Sequence, residues 1–392
     1  MKVLLNDGLN AAAESIFREA GIETDSKKRN HKDLVKQIGD FDGLIVRSAT
    51  NVTRQVIEAG ANKLLKIVGR AGIGYDNIDT VAATENGIVV KCAPWGNVNA
   101  TAELALALML DVSRNIPQAH YSLKNAHWNK KKFEGSELKG KTLGIIGCGR
   151  IGKKLSELAL GINMEIIGYD PIIHNNSRIK YVAKEDVLRR SDYISIHASG
   201  SDLIITEKEV SMMKPTAYLI NTSRGTMIDE EALFRALKER KIAGAAIDVY
   251  EEEPKAEGST FMNRLMELDN VILTPHLGAS TKEAQARTSV EIARVVSDFL
   301  KKGDFSNAVN VGENIESEER PFFSLFVYHD DKPGMFAKIA KVLADCGINI
   351  RENPSRQIGE RCAIAVYIIH QRIEKDVLDR LNKLEGVRRA CI

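Results

Sequence analysis

The sequence predicts an α/β chain built from two doubly wound parallel sheets, with a small ferredoxin-like βαββαβ unit at the carboxyl end. Three observations carry this. Short apolar runs alternate with helix-like stretches from Lys2 to about His276, the rhythm of parallel strands joined by crossover helices. The glycine pattern Gly147-Cys148-Gly149-Arg150-Ile151-Gly152 directly follows one such run and opens a helix. From Pro321 onward the periodicities run strand, helix, strand, strand, helix, strand.

Composition fits that class and narrows the partners. At 392 residues the chain is long enough for several cores, and 44% hydrophobic with 28% charged residues is ordinary for a globular protein. Fifty-five basic residues nearly balance 53 acidic ones, so no broad field attracts nucleic acid or an anionic membrane. The one basic run, Lys27 to Lys32, reads as a solvated connection. Five cysteines without CxxC spacing fit a reducing compartment rather than a disulfide scaffold or a metal site. With Asp7 so near the amino terminus and no membrane-length apolar run, the expected location is the cytoplasm.

The first region, 1–98, alternates KVLL, a helix near Asn10 to Ala20, GLIV, a helix near Arg54 to Ala59, and LKIVG. A single helix is expected from Thr101 to about Lys124. Its AELALALML core is apolar on nearly every face, so it should be deeply buried or packed against a second subunit. The second series, 99–276, runs through KTLGIIG, EIIGYD, YISIH, AYLIN, GAAIDVY and NVILTPH. A segment over 277–303, containing a helix that ends near Lys302, follows, then a polar linker over 304–320, then the last unit over 321–392.

Within the second series the glycine loop reads as a dinucleotide site. Gly147 permits the tight turn, Gly149 lets a pyrophosphate reach the backbone, and Gly152 lets the helix pack on the sheet. Arg150 and Ile151 begin that helix, whose N–H groups face an anion. The next strand ends in Asp170, a carboxylate placed to accept from a ribose diol and to repel a 2′-phosphate, which favours NAD over NADP. Cys148 reads as a small filler residue.

Parallel strands align their carboxyl ends along one edge, and three successive strands deliver reactive groups there. They bring Arg224, the acidic run Glu251-Glu252-Glu253, and His276. Removing hydride from a secondary alcohol needs a base for the hydroxyl proton, and histidine titrates nearest neutrality. A carboxylate beside His276 would raise its pKa and set its tautomer, while a guanidinium could hold a substrate carboxylate. His197, after YISIH, is a rival base without an identifiable acid partner.

With these residues in hand, the chain resembles the D-isomer-specific 2-hydroxyacid dehydrogenases from end to end. The motifs are VRSATNVT, VGRAGIGYDNID, GCGRIG, NTSRG, DVYEEEP and PHLGAST. The resemblance implies Arg224, Glu253 and His276 as the catalytic set, choosing Glu253 among the three glutamates. It implies cofactor contacts from His197, Thr222 and Asp248, and substrate contacts from Arg47, Ser48, Arg70, Gly72, Ile73 and Asn97. It also implies a Rossmann cofactor domain inserted into the substrate domain. Two departures stand out: the segment after His197, ASGSDLIITEKEV, lacks the family's proline-containing run, and Ala100 lacks the hydroxyl often found there.

The last unit resembles an ACT domain, an amino-acid sensor, with HDDKPG beginning at His329. His329, Asp331 and Asn349 are the expected effector contacts, and L-serine the expected effector. The activity implied is oxidation of 3-phospho-D-glycerate to 3-phosphohydroxypyruvate with NAD, in a homodimer or homotetramer without bound metal. A glyoxylate or hydroxypyruvate reductase is a second enzyme reading. An NAD-sensing corepressor-like binding protein is the reading from another class.

Overall fold

The computed structural model describes residues 1–391 except 62, 173–175, 201, 255–257, 311–322, 354, 359–361 and 370–372. Its contacts divide the chain into two units, Met1–Gly96 with Gln285–Ile392, and Asn97–Ala284.

The first unit carries β1 (Lys2–Leu5), β2 (Glu23–Asp25), β3 (Gly43–Val46), β4 (Ile67–Arg70) and β5 (Val89–Cys92). All are parallel, in the order β2-β1-β3-β4-β5. This is the flavodoxin-like order, with its switch between β1 and β3. Strands β1, β3, β4 and β5 are largely buried, whereas the edge strand β2, Glu23-Thr24-Asp25, is polar and partly exposed.

The second unit carries β6 (Thr142–Ile146), β7 (Glu165–Tyr169), β8 (Lys180–Tyr181), β9 (Tyr193–Ile196), β10 (Tyr218–Asn221), β11 (Gly244–Ile247) and β12 (Val271–Leu273). Its parallel order, β12-β11-β10-β9-β6-β7-β8, is the dinucleotide-binding order extended by one strand at the β12 edge. The expected single helix after residue 100 is two, Val98–Arg114 and Ile116–Lys124. Asn115 between them takes a left-handed φ of 53°, and Pro117 starts the second helix. One face of the first helix packs Ala102, Ala105, Leu108, Met109 and Val112 into the core, whereas the second helix buries no residue.

The segment PHLGAST stays with this second unit, and the return to the first comes at Gln285. Asp248 holds Leu277 and Gly278 by their N–H groups, and Thr101 Oγ1 donates to the Gly278 carbonyl.

The carboxyl region forms β13 (Phe323–Asp330), β14 (Ile350–Glu352), β15 (Ser355–Ile358), β16 (Cys362–Ile369) and β17 (Val387–Cys391). They pair antiparallel in the order β14-β16-β13-β17, with β15 also on β16. What the sequence offers as one strand, INIRENPS, is interrupted after Glu352. This sheet belongs to the first unit rather than standing apart.

The start of the expected linker is also structured. Val309 donates to the Val90 carbonyl, Cys92 donates to the Asn307 carbonyl, and the Asn310 side chain accepts from Val90 N–H, so residues 304–310 strap the β5 edge. Phe305 is fully buried there. Residues 311–320 of that expectation lie outside the described residues.

Candidate active site

The glycine loop after β6 is shaped by close approach. Gly147 has φ 91°, and a Cβ on it would lie 2.3 Å from the Ala198 nitrogen. A Cβ on Gly152 would lie 2.3 Å from the Gly147 carbonyl oxygen, so the helix Arg150–Gly161 meets the strand only through glycine. Gly149 differs: a Cβ there meets nothing within 4 Å. The bare backbone at that point forms an open cradle at a helix amino terminus with no side-chain cap.

Asp170 lies just beyond β7, and its carboxylate accepts from Cys148 N–H at 2.7 Å and from Ile172 N–H at 2.9 Å. The group proposed for ribose therefore also ties the glycine loop to β7. Cys148 is buried and its thiol is pushed up to about 12 by burial and by Asp170, so it is an inert filler.

His197 Nε2 lies 2.9 Å from Ser195 Oγ, while His197 Nδ1 and Thr222 Oγ1 are buried without a hydrogen-bond partner. Orphaned polar atoms at a sheet edge, together with the open cradle, fit a cofactor that brings its own polar groups. Burial lowers the His197 pKa to about 4, which keeps the ring neutral and makes it a weaker proton acceptor than His276.

At the ends of β10, β11 and β12 the three expected catalytic residues come together. Asn221 shapes the first turn, accepting from Ser223 N–H and donating to the Arg224 carbonyl, and Ser223 Oγ donates to the Ala198 carbonyl. A Cβ on Gly225 would overlap the Tyr250 backbone at 1.9 Å. The NTSRG turn is thus pressed against DVYEEEP, and glycine is required at the contact.

Glu253 Oε2 lies 2.8 Å from His276 Nδ1, and Glu253 Oε1 accepts from Tyr250 N–H at 3.2 Å. Hydrogen bonding to Glu253 raises the His276 pKa above its usual value, against the opposing effect of burial. Burial alone would raise Glu253, but hydrogen bonding and the charge of His276 outweigh it and leave the carboxyl below its ordinary range. Arg224 is close enough for its charge to act on both. With Nδ1 engaged, Nε2 is the nitrogen left to exchange a proton, and the His276 side chain is about half exposed (52%).

Sequence reasoning placed Asp248 at the cofactor, and the structure shows what its carboxylate holds. It is fully buried and accepts from Thr274 Oγ1 at 2.6 Å, Leu277 N–H at 2.8 Å and Gly278 N–H at 3.0 Å. These bonds bracket His276, whose φ of 53° is a left-handed conformation costly for a non-glycine residue. Burial raises the Asp248 pKa. The histidine is held in place from two sides, by Glu253 at its ring and by Asp248 at its loop.

In the first unit, Arg47 and Arg70 stand at the carboxyl ends of neighbouring strands, since Val46 pairs with Arg70 in register. Arg47 N–H donates to Asp7, and Asn77 donates to the carbonyls of Arg47 and Thr50. Asn77, missed as a functional residue, thus sets the Arg47–Thr50 turn that includes Ser48. Its signal was its place inside VGRAGIGYDNID. Arg70 Nη1 donates to the Ala71 carbonyl, and Gly72, at φ 152°, makes room for that guanidinium before Ile73. Asn97 belongs to the other unit, where its Oδ1 is buried without a partner.

The three expected effector residues differ in exposure. Asp331 and Asn349 are exposed, but His329 is buried, with Nδ1 2.8 Å from the Asp330 carbonyl oxygen and its ring edge-on to Phe336. His329 is therefore built into the domain core rather than presented at its surface. Among the described residues no cluster could hold a metal ion, and no helix is long and apolar enough to cross a membrane.

Comparison with known proteins identifies the family. The pattern of the D-isomer specific 2-hydroxyacid dehydrogenase NAD binding domain matches residues 106–278, and that of the ACT domain matches 323–387. The D-3-phosphoglycerate dehydrogenase of Methanocaldococcus jannaschii is 43% identical over 332 residues, 81% of this chain and 61% of that one. The hydroxypyruvate reductase of Thermotoga maritima is 41% identical over 300 residues, 75% of this chain and 97% of that one. The solved NAD+-bound 3-phosphoglycerate dehydrogenase of Entamoeba histolytica superposes with a TM-score of 0.66 at 29% identity, covering 80% of this chain and 99% of that one. The chain spans about three-fifths of the length of the curated phosphoglycerate dehydrogenases it matches. By its loop, its His276–Glu253 pair and these likenesses, the chain belongs to the D-isomer specific 2-hydroxyacid dehydrogenases and carries an ACT domain.

Proposed function

We propose that the chain oxidises 3-phospho-D-glycerate to 3-phosphohydroxypyruvate with NAD, the first committed step towards L-serine. The observation that carries the chemistry is the His276–Glu253 hydrogen bond beside Arg224. His276 Nε2 takes the hydroxyl proton as the C2–H bond breaks, and Glu253 stabilises the imidazolium that forms. Arg224 holds the substrate carboxylate and draws electron density from the developing carbonyl. NAD, when bound, accepts the hydride. Gly147, Gly149, Arg150, Ile151, Gly152, Asp170, His197, Thr222 and Asp248 are the residues that would hold and orient it. Arg47, Ser48, Arg70, Gly72, Ile73 and Asn97 are assigned to the substrate, the two arginines giving a preference for a phosphorylated acid.

The Thermotoga relative favours a second reading, reduction of hydroxypyruvate by the same residues. Initial-rate measurement of NADH formation from 3-phosphoglycerate, beside NADH consumption with hydroxypyruvate, separates the two. A higher specificity constant for the unphosphorylated acid overturns the first reading, and no turnover of either acid overturns both.

The ACT domain is assigned an amino-acid effector, L-serine, through Asp331, Asn349 and the loop containing His329. A homo-oligomer is proposed from one apolar surface: Leu110, Ile116, Tyr121, Leu123 and Trp128 are 40%, 49%, 73%, 57% and 82% exposed along the two helices after Asn97 and the turn that follows. The five free cysteines fit the cytosol.

A further inference from the structure

The ACT sheet is apolar on both faces. Along β13, Leu325 and Val327 point to the domain's own helices, while Phe326 and Tyr328 join the core of the substrate sheet. Along β16, Ala365 and Tyr367 go one way and Ile364 and Val366 the other. Phe326 packs on Phe299, with ring centroids 5.3 Å apart, and a Cβ on Gly87 would lie 2.0 Å from the Tyr328 ring. Such a face is an internal seam, not a solvated side.

At the rim of this seam stands Arg389 on β17. Its guanidinium donates to the carbonyls of Ala61 at 2.6 Å, Leu65 at 2.9 Å, and Lys63. These close the carboxyl end of the helix Arg54–Ala61, which has no basic residue in its own last turn. The helix end is a concentration of unpaired carbonyls and partial negative charge, and Arg389 supplies both the donors and the cation. The eight-residue helix, about 12 Å long, and the three residues 51–53 separate this cap from the turn Arg47–Thr50 that Asn77 sets.

We propose that Arg389 is a positioning residue, which couples the ACT sheet to the substrate-side turn at Arg47 through the helix Arg54–Ala61. The inference rests on the assignment of Arg47 and Ser48 to the substrate and of the ACT domain to an amino acid. A shift of β17 on effector binding moves the cap, the helix transmits it as a rigid body, and the turn at its amino end changes its grip on the substrate. The route is the docked sheet itself rather than the linker.

The test uses the full chain, as wild type, Arg389→Met and Arg389→Lys. Hydrogen exchange of residues 47–53 should quicken in Arg389→Met and recover in part in Arg389→Lys. The KM for 3-phosphoglycerate should rise about fivefold in Arg389→Met, with kcat and the KM for NAD within about twofold of wild type. L-serine should bind wild type and Arg389→Met alike by calorimetry, yet change the KM for 3-phosphoglycerate only in wild type. Unchanged exchange at 47–53 in Arg389→Met overturns the coupling whatever the substrate. Equal losses in kcat and in both KM values, with a lowered melting temperature, also overturn it by marking a merely structural role. If serine does not bind wild type, the sensor assignment fails, and the exchange arm still decides the coupling.

Discussion

His197 and His276 follow strands β9 and β12 of one sheet, at the same carboxyl edge, and differ in what surrounds the ring. His197 has a hydroxyl, Ser195, and burial; its pKa falls to about 4. His276 has a carboxylate at 2.8 Å and an exposed flank; its pKa rises. The same side chain is held neutral in one place and has its charged form favoured in the other. The teaching is that the partner sets the role, because a charge in contact outweighs partial burial, while burial without one removes the charged form.

Breaking the comparison at its strong end should have the largest effect. His276→Ala and Arg224→Ala are each expected to lower kcat by at least ~100-fold with NAD binding retained, as loss of general-base or electrostatic assistance does. His197→Asn should cost far less, and chiefly in the KM for NAD. Steady-state kinetics on the three variants decides this. Near-normal turnover in His276→Ala would return the base role to His197.

The next effect concerns how His276 is held. Asp248→Asn keeps the shape but weakens acceptance from Leu277 and Gly278, which sustain the left-handed backbone at His276. Buried hydrogen bonds to a charged group are worth roughly 1.5–3 kcal/mol each. The expected outcome is a lower melting temperature and a drop in kcat larger than any rise in the KM for NAD. Thermal melts beside kinetics check it, and an unchanged kcat would show that the loop holds its shape without Asp248.

A smaller effect separates fold from function within the glycine loop. Gly149→Ala meets no neighbour, so the melting temperature should stay within a few degrees while the KM for NAD rises. Gly152→Ala, blocked by the Gly147 carbonyl, should lose stability as well. Equal melting and equal NAD affinity in Gly149→Ala would remove the cradle from the account.

Much of this was legible in the sequence, for physical reasons that differ by region. The glycine loop is readable because close backbone approaches exclude a Cβ at Gly147 and Gly152, while Gly149 leaves the backbone bare at a helix amino terminus. Arg224, Glu253 and His276 are readable because parallel strands put their ends on one edge. The clamp by Asp248 was not, since its partners Thr274, Leu277 and Gly278 lie more than twenty residues on and are mostly backbone N–H groups. The segment DFSNAVN reads as a linker because most of its side chains are polar, yet backbone bonds and the Asn310 side chain attach it to β5, contacts that composition does not reveal. The docked ACT sheet did leave a signal, apolar residues at consecutive positions in FFSLFVY and AIAVYII. Its meaning depends on which surface covers the second face.

The central claim is that Glu253 makes His276 the base. Oxidation needs the neutral imidazole, so kcat/KM for 3-phosphoglycerate should fall as pH drops through the His276 pKa, which hydrogen bonding to Glu253 raises above the ordinary histidine value. The measurement is the pH profile of kcat/KM for wild type beside Glu253→Gln. Removing the carboxylate leaves burial and Arg224, which favour the neutral ring, opposed by the charge of Asp248, whose effect is smaller than that of burial. The predicted result is that the acid limb moves to lower pH in Glu253→Gln, with a modest loss of the plateau rate. An acid limb that stays at the same pH in both proteins would contradict the account.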